Sequence, residues 1–369
     1  MNELDGNCFL VINESHEGAP DLKDKFGDRV ELINIFSRHK WRSLDLFRNP
    51  KLKMAVKGCL LLVAYPIIFF QLLLLFIRNS KFSELMIVNG GFPGGDSCNV
   101  AILAWFIVKR KKCWYNFHNN ARPYRYGIGL FQRFFDWLID FCVEGFITVS
   151  NDCAKSMLVR KGVSNSIVKV VYNGIQAPRV DSSFKFGGLA ENRFRPGSCQ
   201  SIVMLGTFEE RKGHEFLFSA MAKLPQYCLL VCGSGTQEEQ RRLRELSSGI
   251  ENIFFLGFRD DSHSIIQACD LLVVPSKENE SFGLTIIEAM SLDTPVIATR
   301  VGGMKEVIEH EKDGLLVSYG NVDELVDSIS KILENESYRK LLTNNAYISF
   351  QRKYTASVMA QNYKNIIGW

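Results

Sequence analysis

The chain has no Cys-x-x-Cys pair. Its ten cysteines lie apart, the nearest two being Cys228 and Cys232, with no histidine beside them. That spacing excludes a zinc site of the usual kind. Thiols scattered singly point to unpaired cysteines in a reducing, cytoplasmic compartment. No Asp-x-Asp occurs, the oxygen pair that commonly holds a divalent metal against a diphosphate, so no metal site is expected. Internal repeats and low-complexity tracts are absent. The opening residues Met1-Asn2-Glu3-Leu4-Asp5 are acidic and lack the apolar run of a secretory signal. A strong excess of either charge is missing too. Lys plus Arg is 44 and Asp plus Glu is 40, a net +4, which argues against a nucleic-acid partner.

What is present is a globular composition, 46% hydrophobic and 23% charged over 369 residues, enough for about two domains. The halves differ in charge. Residues 1–175 hold 23 basic and 15 acidic side chains, or +8, and residues 176–369 hold 21 and 25, or −4. A basic first half points to an anionic partner there. Within it, residues 58–77 run GCLLLVAYPIIFFQLLLLFI without a charge, between Lys57 and Arg78. Twenty such residues in a helix match a bilayer core of about 30 Å. A helix buried in a domain, or lying on a membrane surface, fits the same run.

Apolar runs of four to six residues alternate with amphipathic stretches. The spacing predicts strands at 8–12, 30–35, 85–89, 113–117, 146–149 and 168–171, and then at 202–205, 228–232, 253–256, 271–274, 295–298 and 315–317. Helices are predicted near 213–223, 236–247, 262–268, 283–291, 303–309 and 322–334, with a polar, aromatic helical segment at 335–367. The polar stretch 176–200, rich in glycine and proline, reads as the linker. The alternation implies βαβ crossovers and parallel sheets, α/β in class. Two Rossmann-like halves are expected to face each other across a cleft at the carboxyl ends of their strands, where such sheets bind ligands. The expected division is 1–178, 179–345, and a terminal helix 346–369 packing back on the first domain.

The richest chemistry lies in SKENESFGLTIIEAM at 276–290. A strand there runs through a loop into a helix whose first N–H groups are free and whose dipole is positive. The backbone of Ser281, Phe282, Gly283 and Leu284 is therefore suited to a phosphate. Glu280 sits just before that anion site and can bind hydroxyls, and Glu288, two turns into the helix, can reach a ribose diol. The bland alternative is an ordinary capped helix with a solvated glutamate. Other strand ends add weight. Gly206 closes the strand 202–205, and Arg211 and Lys212 follow in the next turn, where they can neutralise a diphosphate. Gly233-Ser234-Gly235 follows 228–232, and Gly302-Gly303 follows 295–298. Glycine-bearing turns on one sheet edge suit a nucleotide-type ligand.

SKENESFGLTIIEAMSLDTPVIATRVGGMKEVIEHEKDGLLV resembles the signature of the family 4 retaining glycosyltransferases of GT-B fold, in their bacterial cell-surface polysaccharide type. The likeness includes the Glu-x7-Glu pair, Gly-Gly-x-x-Glu and Asp-Gly-Leu-Leu-Val. It covers 148–335 well, through VSNDCAKSM, VYNGI and LGTFEERKGH, and the first half loosely, through NGGFPGGDS and YNFHNN. The resemblance implies that Glu280 contacts donor-sugar hydroxyls, Glu288 the ribose and Lys212 the diphosphate, while Phe282, Gly283 and Leu284 cradle the distal phosphate by their backbone. It places His118 near the reacting sugar. Three departures stand out. Thr207 occupies a position usually held by arginine, with Arg211 as the compensating cation. Asp293 stands for a usual glycine. No glycine-rich loop precedes residue 18, so the first domain is expected to lack its opening strand.

The activity so implied is metal-independent transfer of a hexose, with retention, from a UDP- or GDP-linked sugar to a glycan acceptor, lipid-linked, in O-antigen, capsule or exopolysaccharide synthesis. No cofactor is implied beyond the nucleotide-sugar substrate. The alternative is a catalytically silent GT-B-like partner subunit. Basic residues beside the apolar segments (Lys51, Lys53, Lys57, Arg78, Lys81, and Lys109 to Lys112) are the pattern of a peripheral contact with the inner membrane face. Leu130, Phe134, Phe135, Trp137, Leu138 and Phe141 recur at near-helical spacing, which suits either that contact or a core.

Overall fold

Buried parallel strands read as unbroken apolar runs because both faces are covered. In the computed structural model those runs are strands, and the amphipathic stretches are the helices that return between them. The structure describes residues 10–13, 19–33, 50–126, 129–163, 166–178, 180 and 199–368. Most of the expected linker, 181–198, lies outside them.

In chain order the first elements are β1 (Leu10–Asn13), α1 (Ala19–Phe26), β2 (Val30–Ile33), α2 (Pro50–Arg78), β3 (Met86–Gly91), α3 (Asp96–Lys109), β4 (Cys113–Asn119), α4 (Gly129–Cys142), β5 (Val143–Thr148), α5 (Asn151–Ser156) and β6 (Val168–Val170). Then come β7 (Ser201–Leu205), α6 (His214–Met221), β8 (Cys228–Cys232), α7 (Gln237–Leu246), β9 (Ile253–Gly257), α8 (Ser262–Ala268), β10 (Leu271–Val274), α9 (Leu284–Ser291), β11 (Val296–Thr299), α10 (Met304–Val307), β12 (Leu315–Val317), α11 (Val322–Glu334), α12 (Glu336–Lys353) and α13 (Ala356–Ile367).

Two compact units result. One is Met1–Thr148 with Ser156–Lys169, the other Val149–Lys155 with Val170–Trp369. The chain therefore changes unit three times instead of once near 178. The reason lies in Glu306 on α10. Its carboxylate accepts from the backbone N–H groups of Asn151 at 2.8 Å and Asp152 at 2.7 Å, and from Asn151 Nδ2 at 2.7 Å, capping α5. Residues 346–369, expected against the first domain, group with the second unit. There Ala356 N donates to the Ile175 carbonyl at 2.9 Å, and buried Tyr354 packs on Tyr172 and Phe282.

In the first unit β3-β4-β5-β6 form one sheet, with Ile87 beside Tyr115 and Tyr115 beside Phe146, while β1 and β2 pair in parallel in a sheet of their own. Helix α2 begins eight residues before the uncharged run. Ala64, Ile68, Leu72 and Phe76 are buried, and Phe76 meets Trp105 of α3 edge to face at 5.4 Å. Val63, Ile67, Phe70, Leu74 and Ile77 face outward. Among the described residues no helix is long and apolar enough to cross a membrane. On α4 the stripe of Leu130, Phe134, Trp137 and Phe141 is exposed, whereas Asp136, Ile139 and Cys142 face inward. Asp136 holds buried Arg160 through two hydrogen bonds of 2.8 and 2.7 Å.

Among the described residues the second unit carries six parallel strands in the order β12-β11-β10-β7-β8-β9. The chain enters at the centre, builds outward through β9, then returns to the other side of β7. That reversal is a topological switch point, and the loops leaving β7 and β10 diverge beside it. Ile202, Leu229, Val231, Leu271, Val273 and Ile297 fill the core with Phe216, Leu217 and Phe218 of α6. Cys199 and Cys228, at the feet of β7 and β8, are joined as a disulfide across 6.2 Å between their Cα atoms. Ten unpaired thiols were expected. The pairing of neighbouring strands brings these two together across 29 positions of sequence, and the compartment argument loses that support.

Candidate functional site

The switch point of the second unit gathers most of the residues that the sequence singles out. After β7 the backbone turns at Gly206, whose N–H donates to the Cys232 carbonyl at 3.0 Å. Gly233 lies against the same turn so closely that a Cβ there would stand 1.8 Å from the Gly206 carbonyl oxygen. The chain then makes a tight turn over Glu210–Lys212 and enters α6 at Gly213, in the left-handed region at φ 74°. A Cβ on Gly213 would meet the Pro275 carbonyl oxygen at 1.9 Å, so only glycine lets this turn lie on the end of β10. The Lys277 N–H donates to the Arg211 carbonyl at 2.8 Å and ties the two loops together.

Lys212 and Glu280, separated by 68 positions, meet there. Lys212 Nζ lies 2.7 Å from Glu280 Oε2, with the two side chains 18% and 15% exposed, and Ser276 Oγ donates to the same oxygen at 3.2 Å. The carboxylate and ammonium expected to serve two parts of one ligand thus hold each other. Arg211 is engaged elsewhere. Its Nε donates to Glu209, which keeps the Glu209 carboxyl below its ordinary range and occupies the cation expected to stand in for the usual arginine.

The loop from β10 to α9 is braced from below. The Glu280 carbonyl accepts from Gly303 N at 2.8 Å, and the Ser281 carbonyl accepts from buried Ser150 Oγ at 2.7 Å. Phe282 is buried against Tyr172 and Tyr354. Gly283 is the N-cap of α9, with Leu284 exposed at the first helical position. Side chains below and the helix amino end above leave backbone N–H groups as the donors for an anion. Gly302 and Gly303 act as the brace of this loop, and Glu306 of the same motif is the α5 cap.

Glu288 lies one turn further along α9, 21% exposed. Its Oε1 is 3.6 Å from Nε2 of His263 on α8. Burial pushes the Glu288 carboxyl above its ordinary range, and His263 acts against that push. His263 is a residue the sequence reading passed over. Its signal was available, because Leu256-Gly257-Phe258-Arg259 is one more strand-end glycine turn like the four singled out. Arg259 clasps Asp261, the N-cap of α8, at 2.8 and 2.5 Å. His118 is half-buried at the end of β4 in the first unit, while the other expected site residues all belong to the second.

One buried histidine was not foreseen. His214 opens α6 between Phe208 and Phe218, with both ring nitrogens unbonded, and burial pushes its pKa down to about 4. The ring is therefore neutral at physiological pH. Among the described residues, no group of three His, Cys, Asp or Glu side chains is placed to hold a metal ion.

Residues 192–349 match the family described as Glycosyl transferases group 1. An uncharacterized glycosyltransferase of Methanocaldococcus jannaschii is 29% identical over 60% of this chain and 58% of its own length. The lipopolysaccharide core biosynthesis glycosyltransferase LpsE of Rhizobium meliloti is 27% identical over 47% of this chain and 51% of its own. The chain thus spans little more than half the length of these relatives. Among solved structures, HepE of Anabaena, crystallised with UDP and glucose, superposes over 98% of this chain and 99% of its own with a TM-score of 0.70 at 20% identity. That likeness shows the fold, a GT-B α/β architecture with two Rossmann-like domains.

Proposed function

We propose that this chain, which carries a group 1 glycosyltransferase domain, transfers a hexose with retention from a UDP- or GDP-sugar to a lipid-linked glycan of a surface polysaccharide. The observation that carries the reading is the Lys212–Glu280 pair at the switch point, on the loop that leads into the amino end of α9, with Glu288 one turn inside that helix. Each part suits one piece of a nucleotide-sugar. Glu288 accepts from the ribose diol. Lys212 and the N–H groups at Gly283 and Leu284 take the diphosphate, whose arrival draws the ammonium from Glu280. The freed Glu280 carboxylate accepts from sugar hydroxyls. Names of relatives support the class, since LpsE acts in lipopolysaccharide core synthesis and HepE was solved with UDP and glucose.

In this reading the bond from the anomeric carbon to the diphosphate oxygen breaks, and the acceptor oxygen bonds on the same face. The acceptor's proton passes to the departing phosphate, so no enzyme nucleophile takes part. Lys212 and the α9 dipole stabilise the departing charge, without a metal. The exposed apolar stripes of α2 and α4, with Lys109 to Lys112 at the end of α3, suit peripheral contact with an anionic cytoplasmic leaflet.

A second reading, a silent partner subunit, draws on one observation: Arg211 is taken up by Glu209 and Thr207 offers no charge. Thermal-shift screening of UDP, GDP and their sugars separates the two. A ligand at about 100 times its Kd raises stability by about 2.7 kcal/mol. A nucleotide-dependent rise in melting temperature, with turnover of the sugar conjugate, supports the enzyme, and no rise with any nucleotide overturns the donor site.

A further inference from the structure

We infer that His263 is a positioning residue for Glu288: its ring, 3.6 Å from that half-sunken carboxyl, favours the carboxylate, so that nucleotide binding survives into mildly acidic solution. The inference rests on the proposed ribose role of Glu288. Its grounds are geometric. His263 stands in the first turn of α8, and Nε2 lies 3.6 Å from Glu288 Oε1. That separation is beyond a hydrogen bond, so the contact acts through charge, and it is felt when the imidazole is protonated.

Both partners are fixed from behind. The N-cap of α8 is clasped by Arg259, and Ser264, Ile265 and Ile266 bury its inner side. Thr294, which follows α9, donates from Oγ1 to the Ile266 carbonyl at 3.0 Å and locks the two helices together. Ile286, Ile287, Ala289 and Met290 anchor α9 around Glu288. The carboxylate is therefore held in a partly apolar wall, which favours its neutral form. A neutral acid has lost acceptor capacity for a diol, since one oxygen now carries a proton. His263, 37% exposed, is the ionisable group that acts on it among the described residues.

The sign follows from the direction of each effect. Burial raises the Glu288 pKa and His263 lowers it. Removing the imidazole raises that pKa further, so the carboxylate is lost at a higher pH on acidification. Well above that pH the carboxylate is ionised with or without its neighbour.

The test is the pH dependence of UDP and GDP affinity in the full chain, by isothermal titration calorimetry between about pH 5 and pH 8.5. In His263→Gln the acid limb moves to higher pH and affinity on that limb weakens, while affinity at pH 8 stays within about twofold. His263→Lys, which keeps a cation, restores the parent's limb. Carbon-detected NMR of the Glu288 carboxyl, without nucleotide, reads the same displacement directly. An unchanged carboxyl titration in His263→Gln overturns the inference while leaving the ribose role standing. Normal nucleotide affinity in Glu288→Ala overturns the ribose role, and the inference about binding with it.

Discussion

Removing the ammonium of Lys212 separates binding of the diphosphate from binding of the nucleoside. In the resting structure Lys212 Nζ sits 2.7 Å from Glu280, and both side chains are more than four-fifths covered. Lys212→Ala has two consequences. A hydrogen bond to a charged group contributes about 1.5–3 kcal/mol, so affinity for UDP or GDP falls by about 10- to 150-fold. Glu280 also loses its counter-ion, and since the pair keeps some solvent contact the stability loss is about 1–3 kcal/mol, short of that for a fully buried pair. Calorimetric titration with UDP, UMP and uridine, alongside GDP, GMP and guanosine, resolves the first effect, and thermal melting the second. The diphosphates suffer the full loss and the nucleosides are unchanged within about twofold. Glu280→Gln supplies the opposite perturbation, freeing the ammonium, and leaves diphosphate affinity equal or tighter while transfer falls. Equal weakening of nucleoside and diphosphate by Lys212→Ala would refute the assignment of the ammonium to phosphate.

Three further outcomes are expected. Glu288→Ala weakens nucleotide and nucleotide-sugar alike, by about tenfold or more, because the ribose is common to both, as competitive titration will show. EDTA leaves turnover unchanged, and an activity that vanished and returned with Mg²⁺ or Mn²⁺ would contradict charge neutralisation by Lys212 and α9. Phe134→Asp with Trp137→Asp, on the exposed face of α4, reduces co-sedimentation with anionic vesicles and leaves melting nearly unchanged, since neither side chain is in the core. Equal, negligible binding of the parent to anionic and neutral vesicles would remove the membrane contact from the account.

Much of the fold is legible in the chain because strands buried on both faces leave little freedom of reading. LLVV at 271–274 and LLV at 315–317 are strands over just those residues, and 228–232 likewise. Helix α2 shows the limit. A charge-free run marks 58–77, whereas the helix starts at Pro50, since lysines do not stop a helix and proline opens one. At the site, the residue types were visible and their partners were not. Lys212 and Glu280 meet only because the strand order reverses between β7 and β10. Arg211 is taken up by the carboxylate of Glu209, two positions away in the chain. Glu288 and His263 belong to neighbouring helices whose facing sides depend on crossing geometry. Cys199 and Cys228 pair through strand register, which cysteine spacing does not encode.

Sugar transfer from labelled UDP- and GDP-sugars to a lipid-linked glycan extract, by the purified chain and by Glu280→Ala, decides whether the second unit is a working donor site. With the parent, label enters the glycan fraction with the anomeric configuration of the donor retained. In Glu280→Ala that label is lost while free UDP or GDP is still bound. Absence of both transfer and donor hydrolysis by the parent across the whole panel would contradict the proposed transferase, and would leave a nucleotide-binding partner subunit in its place.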